Sequence, residues 1–125
     1  MPVPDRLKES AQVYTTNLTV DSALNLIPQD AALLRSGLKC NIHRGGRLAE
    51  DAALAIGMNA TLAGLGYFEN TRQNQADLIS GRIIQDSDGD CWVIRGRPSV
   101  RSRFGPTKHI KCLLEFLPFK PSGIA

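Results

Sequence analysis

Histidine, cysteine and tryptophan are scarce in this chain. It holds two histidines, three cysteines and one tryptophan in 125 residues, and the shortage removes most catalytic and metal chemistries. Cys40, Cys91 and Cys112 form an odd set with no C-x-x-C pair, and each lies within an apolar segment. They read as reduced, buried thiols acting as small hydrophobes. A zinc centre built on them would have to recruit His43 or His109 as its fourth ligand. No apolar run approaches the roughly 18 residues of a membrane span, and the start, M-P-V-P-D-R, lacks the apolar stretch of a secretion signal. The expectation is a protein that stays in the cytosol where it is made, with no membrane partner. Internal repeats and low-complexity segments are also missing.

Catalytic signatures are equally thin. Gly64-x-Gly66 lacks the third glycine and following helix of a dinucleotide fingerprint, there is no phosphate loop, and Ser36, Ser80 and Ser102 have no elbow glycines around them. His43 falls on the polar face of an alternating segment and His109 begins another. These features predict a non-enzyme with no cofactor and no bound metal.

Acidic residues vanish between Asp90 and Glu115, while Arg95, Arg97, Arg101, Arg103, Lys108 and Lys111 fall in that gap. The net charge of +3 is therefore unevenly placed, and one end of the molecule should carry a positive field. The length suits one domain over 1–125, and the 42% hydrophobic and 22% charged fractions are those of an ordinary globular protein.

The most informative stretch is G-R-I-I-Q-D-S-D-G-D-C from Gly81 to Cys91, followed by Trp92-Val-Ile-Arg-Gly. It predicts a hairpin with strands near Gly81–Asp86 and Cys91–Arg97, a polar turn from Asp86 to Asp90, and buried Trp92 and Ile94. D-S-D-G-D resembles the opening of a calcium loop, but an EF-hand needs glycine at position 6 and a bidentate glutamate at position 12, where this chain has Cys91 and Arg97. The three aspartates are better explained as residues that cap the turn backbone.

Elsewhere, Leu7–Asn17 favours a strand. Ile27–Leu34, with Pro28 ahead of D-A-A-L-L, suggests a short helix or irregular link. Ser36-Gly37 should break the chain, after which Leu38, Cys40 and Ile42 alternate with Lys39, Asn41 and His43 as in a half-buried strand. Arg47–Ile56 has apolar residues at 48, 52, 53 and 56, as in a short amphipathic helix. Met58–Phe68 reads as a strand interrupted by Gly64 and Gly66, Glu69–Asp77 as a solvated loop, and P-S-V-R-S-R-F-G-P-T as a basic loop. Lys108–Leu117 is a clear alternating strand stopped by Pro118 and Pro121. The expected fold is mainly β, a small antiparallel barrel (SH3-like or a rolled sheet) with one or two short helices, since closure removes exposed edges. Residues 1–6 form an N-terminal arm, 45–59 and 69–80 long loops, and 118–125 a tail that docks on a partner or stays disordered.

In order, Leu33-Leu34-Arg35-Ser36-Gly37-Leu38-Lys39-Cys40-Asn41-Ile42, the loop with Gly45-Gly46-Arg47, Ser80-Gly81-Arg82-Ile83, Trp92-Val93-Ile94-Arg95-Gly96 and the strand led by His109 resemble the head-closure or head–tail joining proteins of tailed bacteriophages. The likeness spans roughly residues 7 to 117. It implies a β-barrel without an active site that forms a homo-oligomeric ring, hexameric or dodecameric, in the neck of the virion. That ring would lie between a portal or adaptor protein and a tail terminator or tail tube protein. It would close the head over the packaged DNA, with a loop reaching the lumen, and offer the tail a docking surface. The helical character after Gly46 and the glycines at 64 and 66 depart from the family pattern.

The residues expected to face a neighbouring subunit, a neighbouring ring or DNA are Arg47, Arg95, Arg97, Arg101, Arg103 and Lys108 on the basic side, and Asp86, Asp88 and Asp90 on the acidic side. A ring needs unlike faces to meet, so these two sets are natural complements, and salt should weaken such a contact. From a different class, the alternative is a small nucleic-acid-binding barrel using the basic segment 95–111, with Phe104 as a stacking face.

Overall fold

Six antiparallel strands close on themselves in the order β1-β2-β3-β6-β5-β4, with β4 returning to β1. The structure, a computed structural model, describes residues 9–20, 26–57, 62–101 and 109–124. The strands are β1 (Glu9–Val20), β2 (Leu26–Arg44), β3 (Ala63–Glu69), β4 (Ile83–Gln85), β5 (Cys91–Arg101) and β6 (His109–Leu117). Two helices, α1 (Arg47–Ala55) and α2 (Arg72–Asp77), join β2 to β3 and β3 to β4. The expected small antiparallel barrel with short helices is what the chain forms.

Alternation sorts side chains to the two faces of the barrel wall. Ala11 and Val13, Leu38, Cys40 and Ile42, Phe68, Ile84, Trp92 and Ile94, and Ile110, Cys112 and Leu114 meet inside. The glycines of β3 belong to this inner row, and their role is spatial. A Cβ on Gly64 would lie 2.7 Å from Trp92 Cζ3, and one on Gly66 would lie 2.8 Å from Phe68 Cε1 and 3.0 Å from Leu114 Cδ1. The bare backbone there lets the largest side chain of the barrel fit within a narrow interior. β3 is therefore a continuous strand, and its glycines are where the core is most crowded.

The outer wall is also partly covered. Ala49 and Ala53 of α1 pack on Ala63 and Leu65, with Tyr67 and Leu113 alongside. On another part of the wall Tyr14, Ala31, Ile83, Cys91, Val93 and Leu117 form a second cluster, against which Ile124 packs. Ile83-Ile84 and Cys91–Ile94 are accordingly buried on both faces.

Several sequence expectations need correction. Ile27–Leu34 is neither helix nor link but part of the 19-residue β2. Pairing with β1, over registers from Val20↔Leu26 to Glu9↔Cys40, overrides the local preference of D-A-A-L-L. Ser36-Gly37 does not break the chain. It is one of the places where β2 carries extra residues opposite β1, with register shifts between Ala11/Val13, Val13/Tyr14 and Thr15/Asn17. Such bulges bend and twist a strand without ending it. The solvated loop expected at Glu69–Asp77, and the long loop at 69–80, contain α2. Thr71 caps it, its Oγ1 accepting from Asn74 N at 3.0 Å. The short helix expected at Arg47–Ile56 forms as α1, within the stretch 45–59 set down as a long loop, and it buries Ala49 and Ala53 while Leu48 and Ile56 are exposed. β5 extends to Arg101, so the basic loop expected from Pro98 begins inside a strand. Residues 1–6, 58–59, Arg103, Phe104 and Lys108 lie outside the described residues, as does the side chain of Arg101.

Candidate functional site

The turn between β4 and β5 is organised by one carboxylate. Asp86 Oδ1 accepts from the backbone N–H groups of Asp88 at 3.0 Å and Asp90 at 2.9 Å, which is the expected capping role. Its Oδ2 accepts from Trp92 Nε1 at 3.1 Å and from Arg44 Nη2 at 2.8 Å. Arg44 also reaches Glu9 Oε1 at 3.2 Å and Asp88 Oδ2 at 3.3 Å, and Glu9 Oε2 accepts from Ile42 N at 2.8 Å. Burial by itself would raise the Asp86 carboxyl, but the bonds from Trp92, Arg44 and the Asp90 backbone outweigh it and hold the group below the usual carboxylate range.

Asp86, Asp88 and Asp90 bring carboxylate oxygens within 4.8 Å of one another, the one such grouping of metal-capable side chains among the described residues. Arg44 supplies the positive charge this cluster requires. Asp86, expected to face a neighbour, has both its oxygens occupied within the chain, leaving Asp88 and Asp90 as the accessible acids of the tip.

On the basic side the residues separate. Arg95 is held by Glu115, with Nε and Nη2 2.8 and 2.7 Å from Oε1. Arg97 is exposed, beside a cleft of about 260 Å³ lined by Gln75, Leu78, Ile79, Pro98 and Ile110. Arg47, at the start of α1, is almost fully exposed and only 4.0 Å from Asp51. Arg95 pairs with Glu115 and Arg47 with Asp51, and neither makes an ion pair with the acidic tip of its own chain.

The histidines and cysteines do not converge. Tyr67 contacts His43 and His109 edge-on, with ring centroids 5.4 and 5.2 Å apart. Cys40 and Cys112 lie in the inner core and Cys91 in the outer cluster. Burial pushes the thiols of Cys40 and Cys112 up to about 12, which makes them poor nucleophiles.

Besides Leu34 and Ile79, the described surface carries exposed large apolar residues in two patches. On α1, Leu48, Leu54 and Ile56 are 70%, 67% and 53% exposed. On the other face, Leu33 pairs with Tyr14 of the outer cluster and is 56% exposed, and Phe119 is 47% exposed. α1 packs on β3 and β6, whereas the outer cluster draws on β1, β2, β4, β5 and the end of β6. The two patches therefore rest on different clusters of the outer wall.

Sequence reasoning missed a buried polar network around α2. Arg35 Nη1 donates to Asp77 Oδ2 at 2.9 Å, and Arg35 Nη2 donates to Asn74 Oδ1. Asn74 Nδ2 reaches Glu69 O at 2.7 Å, and Arg82 Nη1 reaches Asp77 O at 3.0 Å. The T-R-Q-N capping pattern at Thr71 was the one local sign of this helix.

No family model and no curated protein matches the chain. Among solved structures it is similar to protein SF1141 from Shigella flexneri 2a, a structural-genomics target determined in solution. The TM-score is 0.61 at 14% identity, over 91% of this chain and 96% of that one, so the two chains share a fold.

Proposed function

We propose that this protein is a ring-forming structural component of a tailed-phage neck, closing the head after DNA packaging and presenting a docking surface to the tail. The observation that carries the reading is the pair of unlike apolar patches on separate clusters of one barrel wall. Leu48, Leu54 and Ile56 are on α1, and Leu33 and Phe119 lie beside the outer cluster. Such patches on a small domain mark interaction surfaces. Two different patches suit a head-to-tail contact, which closes into a ring when the rotation per copy permits. The ordered likeness to head-closure proteins supplies the setting, and the barrel is the architecture that likeness implies.

The test is assembly on portal complexes, followed by sedimentation. Leu54→Asp should leave a folded protein, checked by circular dichroism, and abolish the ring; undiminished rings would refute the reading. A nucleic-acid role would rest instead on Arg97, Arg101, Arg103 and Lys108, since Arg95 is engaged by Glu115. It predicts a shift on single-stranded oligonucleotide that is lost when Arg101 and Arg103 are both replaced by alanine.

A further inference from the structure

The segment after β6, expected to dock on a partner or remain loose, lies instead on its own chain. Pro118, Phe119 and Lys120 form an exposed link, Pro121 is buried, and Ile124 packs against the outer cluster. Ser122 makes the contact: its carbonyl oxygen accepts from Ala31 N at 2.7 Å and its Oγ from Asp30 N at 2.9 Å.

The seat for this strap is specific. In a regular strand successive N–H groups point to opposite edges, so Asp30 and Ala31 would not both reach one residue. The register shift between Thr15 and Asn17, with Asp30 at φ 54°, turns both donors toward Ser122. Gly123 is demanded twice, by its φ of 94° and by space, since a Cβ there would lie 2.1 Å from Ala31 O.

Beyond Lys120, the end of the strap is held by two hydrogen bonds, Pro121 and one half-buried isoleucine, a contact of modest strength. Plug and socket are unlike surfaces of the same chain, and the socket adjoins the exposed Leu33. The occupant that fits this seat is the same segment. A second copy's strap makes the same bonds with no new chemistry, and the exposed three-residue link is the hinge that redirects it. We infer that, on assembly, the strap 118–124 of one copy leaves its own seat and occupies the Asp30–Ala31 seat of the next, covering that neighbour's outer cluster. This deepens the ring reading above and rests on it for its setting.

The test uses full-length chains in which a cross-link between copies has one origin. A copy carrying Asp30→Cys and Gly123→Val, whose own strap cannot seat, is unfolded and refolded together with a copy carrying Ser122→Cys, then oxidised. Exchange predicts a covalent dimer between the two variants on a non-reducing gel, with the disulfide between the two introduced thiols, at positions 30 and 122, identified by mass spectrometry. Recovery of monomers alone, while the Asp30→Cys, Ser122→Cys double variant closes efficiently within one chain, would overturn it. If the first copy fails to fold, the Asp30→Cys single variant replaces it, and the same two outcomes decide. Portal-bound rings without the interchain bond remove the exchange and leave the ring reading standing; the bond in a simple pair with no ring does the reverse.

Discussion

Trp92 Nε1 donates to Asp86 Oδ2 at 3.1 Å, so the largest side chain of the inner core is tied to the carboxylate that shapes the β4–β5 turn. The core and the hairpin tip are therefore one unit. Asp86→Ala removes the acceptor for Trp92 and the partner of Arg44, and leaves the turn amides of Asp88 and Asp90 without their cap. We expect a loss of about 2–3 kcal/mol, the scale for hydrogen bonds to a charged group, measured by urea unfolding. Asp86→Asn should cost less, because its carbonyl oxygen still caps the turn.

The same carboxylate sets an acid limit. Its folded-state value lies below the ordinary one, so the folded protein binds this proton more weakly than the unfolded chain does. The stabilisation is complete above the unfolded value of about 4 and is lost as pH falls through the folded value. Wild-type protein should lose stability on acidification below about pH 4, with a smaller loss in Asp86→Asn. Parallel pH–stability curves for the two proteins would exclude this assignment.

Gly64 and Gly66 should resist substitution. Gly64→Ala would place a Cβ 2.7 Å from the Trp92 ring and 3.0 Å from His43 O, and the backbone oxygen cannot yield. We expect destabilisation of about 1–3 kcal/mol from overpacking, together with a change in Trp92 fluorescence. A neutral Gly64→Ala would mean that Trp92 does not occupy that space.

Strand alternation and hairpin logic made the barrel legible. Leu38, Cys40 and Ile42, Ile110, Cys112 and Leu114, and Trp92 with Ile94 all face the core as their spacing implies. What could not be read was decided by long-range contacts. D-A-A-L-L is a strand because β1 pairs with it. E-N-T-R-Q-N-Q-A-D hides a helix because Arg35, far away in sequence, satisfies the buried Asn74 and Asp77. Of the candidate site residues, Asp86 and Arg95 became internal structure, and their partners Arg44 and Glu115 carry no local signal of pairing.

That dependence makes Asp77→Ala informative. It removes the acceptor for Arg35 Nη1 and Gln73 Nε2, so a loss of about 2 kcal/mol, typical for hydrogen bonds to a charged group, should accompany faster amide exchange across α2. Protection in α2 equal to wild type would show that the helix stands without Arg35.

The thiols offer a direct check on the core. With Cys40 and Cys112 pushed up to about 12 and Cys91 also raised by burial, none should react with a thiol reagent at mildly alkaline pH in the native state, and all three should react in denaturant. Rapid native labelling of Cys40 or Cys112 would contradict a closed barrel.

Whether unlike faces of this barrel join copies into a ring is read from electron cryo-microscopy of portal complexes co-produced with this protein. The expected result is a closed ring on the portal in which the α1 face of each copy, with Leu48 and Leu54, meets the Leu33 face of the next. Portal complexes without the protein, or copies paired face to like face through α1, would contradict it.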